Sequence, residues 1–311
     1  MATTTGTTSF NLDVNDLIEE AFERCGKELR SGYDFRTARR SLNLLTIEWA
    51  NRGLNLWTVE QGVIPMVTGQ AMYPIPVDTI DLMDMVIRQN NGTLNQIDIN
   101  ISRIAEPTYM SLPNKLTQGR PIQVYVNRQS GQSNPTTAVL TANISSTDTT
   151  ITLSDTSQLG SAGFIQLDGE TISYPNVNGN QLINCARGQN GTTATAHITG
   201  AAVTVQNLPC INVWPTPNAP GNQYTFVYYR LRRIQDAGSG VYVQDIPFRF
   251  IPAMVAGLAY QLSTKLPDVD MNRIPMLKAE YEAQFQLAAD EDRDKAPVRF
   301  VPRMMFYGRG G

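Results

Sequence analysis

The stretch DFRTARRSLNLLTIEWANRG, residues 34–53, decides how this chain is read. Phe35, Ala38, Leu42, Leu45 and Trp49 recur at three- and four-residue spacing and form one apolar stripe, Arg36, Arg39 and Arg40 fall on the polar side, and Gly53 ends the run. A helix with one apolar face must cover that face, so the sequence nearby should supply a partner. It stands just before: Asp13 can cap a helix in which Val14, Leu17, Ile18, Ala21, Phe22 and Cys25 repeat at the same spacing until Gly26 stops it. The Ser31-Gly32 turn then joins the two into a helical hairpin whose second helix opens near Asp34. Residues 1–10, MATTTGTTSF, are Thr-rich and read as a flexible tail.

Outward from the hairpin the texture changes. Between 57 and 128 come short apolar runs, including 56–65, 66–75, 81–88 and 122–126, punctuated by Gly, Pro and Asn, which predicts strands. Asn90-Asn91-Gly92 predicts a hairpin, because these residues tolerate positive φ. From 134 to 206 there is no Lys, a single Arg (Arg187), abundant Thr, and alternating runs at 150–153, 164–167, 171–174 and 202–205. Asp168-Gly169, Asn178-Gly179 and Asn190-Gly191 mark hairpin turns within it. The host texture resumes afterwards with 211–214 and 224–229, so this stretch reads as an all-β domain, a small barrel or sandwich, inserted between host strands.

Two more helices follow. Asp245-Ile246-Pro247 is a start signal for a helix with Ile251, Val255, Leu258, Leu262 and Leu266 on one stripe, Pro252 being tolerated in the first turns. The last helix, about 275–292, buries Leu277, Tyr281, Phe285 and Ala288 and turns Glu280, Glu282, Glu291 and Asp292 to solvent. The expected fold class is α+β: a host domain of helical bundle and antiparallel sheet over 11–133 and 207–294, the inserted β domain at 134–206, and an extended C-terminal tail at 295–311.

Composition narrows the function. Of 311 residues, 41% are hydrophobic and 17% charged, too much apolar material for disorder. A net charge of -3 is the wrong balance for holding nucleic acid through its phosphates. Cys25, Cys185 and Cys210 form no C-x-x-C pair, so neither a disulfide framework nor a zinc knuckle is expected, and the N-terminus has no signal-peptide pattern. No segment approaches the roughly 18 apolar residues of a membrane span, so a soluble protein made in the cytoplasm is expected. His197, the single histidine, lies outside any G-x-S-x-G motif and reads as a polar strand or loop residue. Gly238-Ser239-Gly240 leads into a strand-like run rather than a phosphate loop. Pairs such as Asp81 with Asp84 or Glu280 with Glu282 supply the residue types of a glycosidase, but carboxylates are so common that the pairing carries almost no information, and Trp49 and Trp57 read as core before they read as a sugar platform. The expectation is no catalytic residue, no metal and no cofactor.

One order of residues is more specific. Leu17 to Cys25, Tyr33-Asp34, Ala38-Arg39-Arg40-Ser41-Leu42-Asn43-Leu44-Leu45 and Trp49-Ala50-Asn51-Arg52-Gly53-Leu54-Asn55-Leu56-Trp57 are followed by Gly119-Arg120-Pro121, Val213-Trp214-Pro215-Thr216-Pro217, Tyr228-Tyr229-Arg230 and Leu258-Ala259-Tyr260-Gln261-Leu262. This resembles the head-to-tail adaptor (connector) proteins of short-tailed bacteriophages, the family of the P22-like adaptor and the T7-like tail tubular adaptor, over the whole host domain. The runs 147–153, 165–174 and 185–194 resemble a small β module that recurs in phage tail and baseplate proteins.

The resemblance implies a structural virion protein of the tail or neck, not an enzyme: a homo-oligomeric ring of twelve copies between the portal protein and a downstream tail or nozzle protein with its fibres. Double-stranded DNA would pass through it without sequence-specific binding, and no membrane is involved. Arg36, Arg39, Arg40, Glu280 and Glu282 are then candidates for contacts between subunits, a head-to-tail ring needing two different complementary faces. Phe300, Met304, Met305, Phe306 and Tyr307 of the tail are candidate portal anchors. Two other function classes compete: a carbohydrate- or receptor-binding tail component using the β module, and a cell-wall hydrolase.

Overall fold

The computed structural model describes residues 4–53 and 56–292. Among them are five helices, α1 (Val14–Arg24), α2 (Gly32–Arg52), α3 (Glu106–Met110), α4 (Ile251–Ser263) and α5 (Arg273–Glu291), and several largely antiparallel sheets, a mixed α/β chain. The chain divides into two compact units, Thr58–Arg233 being one and the segments on either side of it together forming the other.

The flanking unit is helical. Asp13 caps α1 by accepting the Asp16 backbone N–H at 2.9 Å, and Val14, Leu17, Ile18, Ala21 and Phe22 are buried along one face. Ser31 caps α2, accepting from the Asp34 N–H at 3.2 Å. The helix therefore starts at Gly32 rather than near Asp34, and Ser31-Gly32 is a cap with the first helical residue instead of a free turn. Its stripe is Ala38, Leu42, Leu45 and Trp49. Helix α4 differs from the single stripe expected of it: Ala253, Met254, Val255, Ala256, Leu258, Ala259 and Leu262 are all buried, as in a helix surrounded by partners. Gly257 allows that crowding, because a Cβ there would lie 2.8 Å from the Tyr281 ring and 2.9 Å from Leu45.

Helix α5 buries Leu277, Tyr281 and Ala288. Trp49 donates its indole N–H to the Tyr281 hydroxyl at 3.0 Å, and its ring lies 5.5 Å from both Phe250 and Phe285. Asp292 is not turned to solvent as its sequence position implied. It is buried, accepts the Leu56 N–H at 2.8 Å and pairs with Arg249, which is how its charge is compensated.

The second unit holds the strands. Val59–Pro65, Tyr224–Arg232, Thr79–Gln89 and Ile97–Asn100 form an antiparallel sheet in that order. A second sheet runs Met72–Pro74, Cys210–Trp214, Gln123–Asn127, Ser102–Ile104, its last pair parallel. Tyr73, Leu82, Ile87, Val124, Val126, Ile211, Val213 and Phe226 belong to one core shared by the two. The run 66–75 is strand only at Met72–Pro74, and the Asn90-Asn91-Gly92 signal opens a longer connection that pairs Gln89 with Ile97.

Within 134–206, a sheet orders Ala186–Gln189, Glu170–Tyr174, Gly163–Leu167, Ala202–Gln206 and Ser133–Val139. Ile151, Leu153, Ile165, Leu167, Ile172, Tyr174 and Leu182 are in its core. Asp168-Gly169 is the two-residue hairpin loop its sequence predicts, with both φ positive at 44° and 91° and Leu167 paired with Glu170. Asn190-Gly191 also has positive φ but closes no hairpin; the chain turns there, and Thr192 accepts the Thr171 N–H instead. The segment enters and leaves side by side, Ser133 pairing with Gln206 and the Asn207 N–H reaching the Gln132 carbonyl at 2.9 Å. Phe164 packs with Met72 and Cys210 of the second sheet and with Leu208, which lies between the strands 202–206 and 210–214.

Candidate functional site

The inward stripe of α2 leaves a second face outside. Arg36, Arg39 and Arg40 are exposed on it, and among the described residues no ion pair engages them. Three large apolar side chains accompany them, Tyr33, Leu44 and Ile47, at 67%, 50% and 48% exposure. Positions 33, 36, 40, 44 and 47 advance by three or four residues, so basic and apolar groups share one side of the helix.

Helix α5 has an outer face of opposite character. Met276 and Leu287 are exposed, with Glu280 four residues beyond Met276 and Asp290 three beyond Leu287 on the same side, while Glu282 lies on another side of the helix. Glu280 and Glu282 already have partners in their own chain. Arg24 reaches Glu280 at 2.7 Å and Glu20 at 3.0 Å. Arg52 grips Glu282 through two bonds of 2.7 and 2.9 Å, also contacts Glu48, and lies over the Tyr281 and Phe285 rings at 5.0 and 4.7 Å. The hydrogen bonds from Arg52 hold the Glu282 carboxyl below the usual carboxylate range. Pairs this exposed each contribute about 0–1 kcal/mol. Arg24 and Arg52 were not singled out from sequence, although Glu20-Arg24 and Glu48-Arg52 stand at the i,i+4 spacing that could have marked them. Phe300, Met304, Met305, Phe306 and Tyr307 lie outside the described residues.

The second unit carries a buried polar centre that sequence reasoning missed. Glu170 is fully enclosed and accepts from Arg187 at 2.8 and 2.9 Å, from the Gly188 N–H at 2.9 Å and from the Thr195 N–H at 3.0 Å. His197, also buried, sits between two carboxylates: Nε2 is 2.8 Å from Glu170 and Nδ1 is 3.0 Å from Asp168. Burial alone would raise the Glu170 carboxyl, but the hydrogen bonds from Arg187, Thr195, His197 and Gly188 outweigh it and bring it to about 2. The Thr195 hydroxyl Oγ1 is 3.5 Å from His197 Nε2. The group ties the strand Ala186–Gln189, and the Thr195 and His197 segment after it, to the Asp168–Glu170 hairpin; His197, which bridges Ile144, is the polar strand or loop residue its sequence implied, but a buried one.

Other candidates resolve into pairing and packing. Asp81 binds both Arg103 and Arg128 at 2.9 Å. The three cysteines are buried and free; burial pushes the Cys25 thiol up to about 11 and those of Cys185 and Cys210 to about 12, which disfavours the reactive thiolate. Among the described residues no cluster of His, Cys, Asp and Glu has the composition of a metal site, and no helix is long and apolar enough to cross a membrane. The sequence matches no protein-family model and no curated protein.

Proposed function

We propose that this chain is a subunit of a head-to-tail adaptor ring in a short-tailed bacteriophage, a non-enzymatic virion protein that joins the portal to the tail and lines part of the DNA ejection channel. The observation that carries the reading is the outer face of α2, where three exposed arginines without ion-pair partners among the described residues stand beside Tyr33, Leu44 and Ile47. A face with apolar and acidic groups would complement it; the outer face of α5 offers exposed Met276 and Leu287, and its Glu280 would be shared with Arg24. Two unlike complementary faces on one chain are what a closed cyclic assembly uses. The family resemblance of the host residues supports the same conclusion. On this reading the helices form a bundle, 134–206 is an inserted all-β domain, and the tail residues Phe300, Met304, Met305, Phe306 and Tyr307 anchor on the portal. Imaging the purified full chain mixed with its portal tests the proposal. A ring of twelve copies seated on the portal, with α2 of one subunit against α5 of the next, is expected; a monomer that ignores the portal overturns it.

A further inference from the structure

Ahead of α4 the helical unit has a loop whose apolar side chains are left uncovered. Val241, Tyr242 and Val243 are 75%, 62% and 53% exposed, and Phe248 is 77% exposed. Single exposed apolar residues are ordinary, but three in succession with a fourth close by in the chain mark a contact surface. The loop is held in place. The Val14 N–H donates to the Tyr242 carbonyl at 2.9 Å and the Asn15 N–H to the Gly240 carbonyl at 3.0 Å, which fastens it to the start of α1. The Tyr242 N–H closes a turn on the Ser239 carbonyl at 3.0 Å, and the Trp57 indole N–H donates to the Asp245 carbonyl at 3.2 Å. Gln244, between the exposed residues, is buried, and neither polar atom of its amide has a partner among the described residues. The loop therefore lacks a polar partner as well as an apolar cover.

Helix α1 runs on from this loop with an acidic outer side. Asp16, Glu19 and Glu23 are exposed, stand three and four residues apart, and have no ion-pair partner among the described residues. A partner for loop and helix together must be apolar and basic. The chain ends in such a segment. Residues 293–311, beyond the described ones, hold Arg293, Lys295, Arg299, Arg303 and Arg309 against a single acid, Asp294, together with Phe300, Met304, Met305, Phe306 and Tyr307. The point from which they start is fixed beside the loop. Asp292 accepts the Leu56 N–H at 2.8 Å and pairs with Arg249, the neighbour of Phe248, while Trp57, next to Leu56, holds Asp245. Fully extended, residues 293–311 would reach about 60 Å and α1 is about 16 Å long, so the segment can cross the loop and follow the helix. The outer face of α2 is also basic and apolar, but it could come only from a second copy.

We propose that in the free chain residues 293–311 dock on their own subunit, the apolar side chains between Phe300 and Tyr307 covering Val241, Tyr242 and Val243 and the basic ones lying along Asp16, Glu19 and Glu23. A tethered segment meets its site at an effective concentration of about 1 mM, so a contact too weak to hold separate molecules together is populated within one. The docking surface is a property of the chain alone and stands apart from the adaptor reading; on that reading the portal takes over the same tail residues and has to displace them from this surface.

The test uses the full chain with its methionine methyls labelled for NMR, because Met304 and Met305 fall in the segment, and with a nitroxide on Ser239→Cys at the exposed edge of the loop. The three native cysteines are buried, their thiols pushed up to about 11 or 12, so the label goes to the introduced one. The nitroxide should broaden the Met304 and Met305 methyls when both labels are on one molecule, and not when they are on separate molecules that have been mixed. A tethered segment passes near the label even when undocked, so the substitutions decide. Asp16→Asn, Glu19→Gln and Glu23→Gln together should lower the broadening at least about twofold, and Tyr242→Ser should remove most of it, with circular dichroism verifying the fold. No broadening in the doubly labelled chain, broadening only between separate molecules, or broadening that neither variant changes would each overturn the proposal. Portal binding is not what this experiment reads, so failure here leaves the adaptor reading to the imaging of the ring.

Discussion

The rim of the helical unit and the interior of the 134–206 segment treat charge in opposite ways. In the first, the ion pairs Arg24 with Glu280 and Arg52 with Glu282 lie at the periphery over an apolar interior whose large members are Phe22, Leu42, Trp49 and Phe250. In the second, Glu170, Arg187 and His197 are placed inside, enclosed by strands and one loop. Exposed pairs can be lost one at a time with little consequence, whereas a buried charge deprived of its partner has no water to replace it. Charge changes at the rim of the helical unit should therefore be tolerated, whereas changes at Glu170, Arg187 or His197, or at the buried Asp292 of the helical unit, should not.

The largest effect is expected where that contrast is sharpest. Glu170→Ala leaves Arg187 and His197 buried without their shared carboxylate and should destabilise the strand unit by about 3–5 kcal/mol, measured by urea unfolding, while helical circular dichroism persists at low urea. Acid makes the same point without a mutation. The Glu170 carboxyl is depressed to about 2 in the folded protein, so its contribution is complete above the ordinary carboxylate range near pH 4.5 and is lost as pH falls toward 2. Strand-unit signals should fade in that window in the wild type and show no such step in Glu170→Ala; an identical acid profile in both breaks the comparison.

A volume change should hurt the helical unit next. Gly257→Val places atoms where Tyr281 and Leu45 already sit and should cost about 1–3 kcal/mol in thermal or urea unfolding. Ser31→Ala, which removes the α2 cap, should cost about 1 kcal/mol. The smallest effect on stability belongs to the charge reversal of Arg36, Arg39 and Arg40 to Glu, at about 0.5 kcal/mol or less per site. The same triple variant should nevertheless fail to assemble on the portal, read by sedimentation. Assembly equal to wild type would remove the α2 face from the subunit contact.

Legibility followed the range of the interactions involved. Periods of three and four residues placed α1, α2, α4 and α5 to within a few residues, because a helix satisfies its backbone within one stretch of chain and displays its buried face in local spacing. The Asp168-Gly169 hairpin was legible for the same reason. Short α3 was not, since five residues hold too little periodicity to register. The outward arginines of α2 could be named from spacing, but the partners of Glu280 and Glu282 could not, because Arg24 and Arg52 are more than two hundred residues away along the chain.

By itself, then, the sequence determined the four long helices, the apolar stripes of α1 and α2, the Thr-rich β character of 134–206 and the absence of any standard catalytic motif. Tertiary structure alone decided which charges are buried together, that Asp292 turns inward, that α4 is covered on nearly every side, and that the loop of Val241, Tyr242 and Val243 is fastened at the start of α1. The physical reason is that burial and pairing belong to positions in space: a carboxylate's partner, and the water it loses, are fixed only when strands far apart in the chain are brought into register.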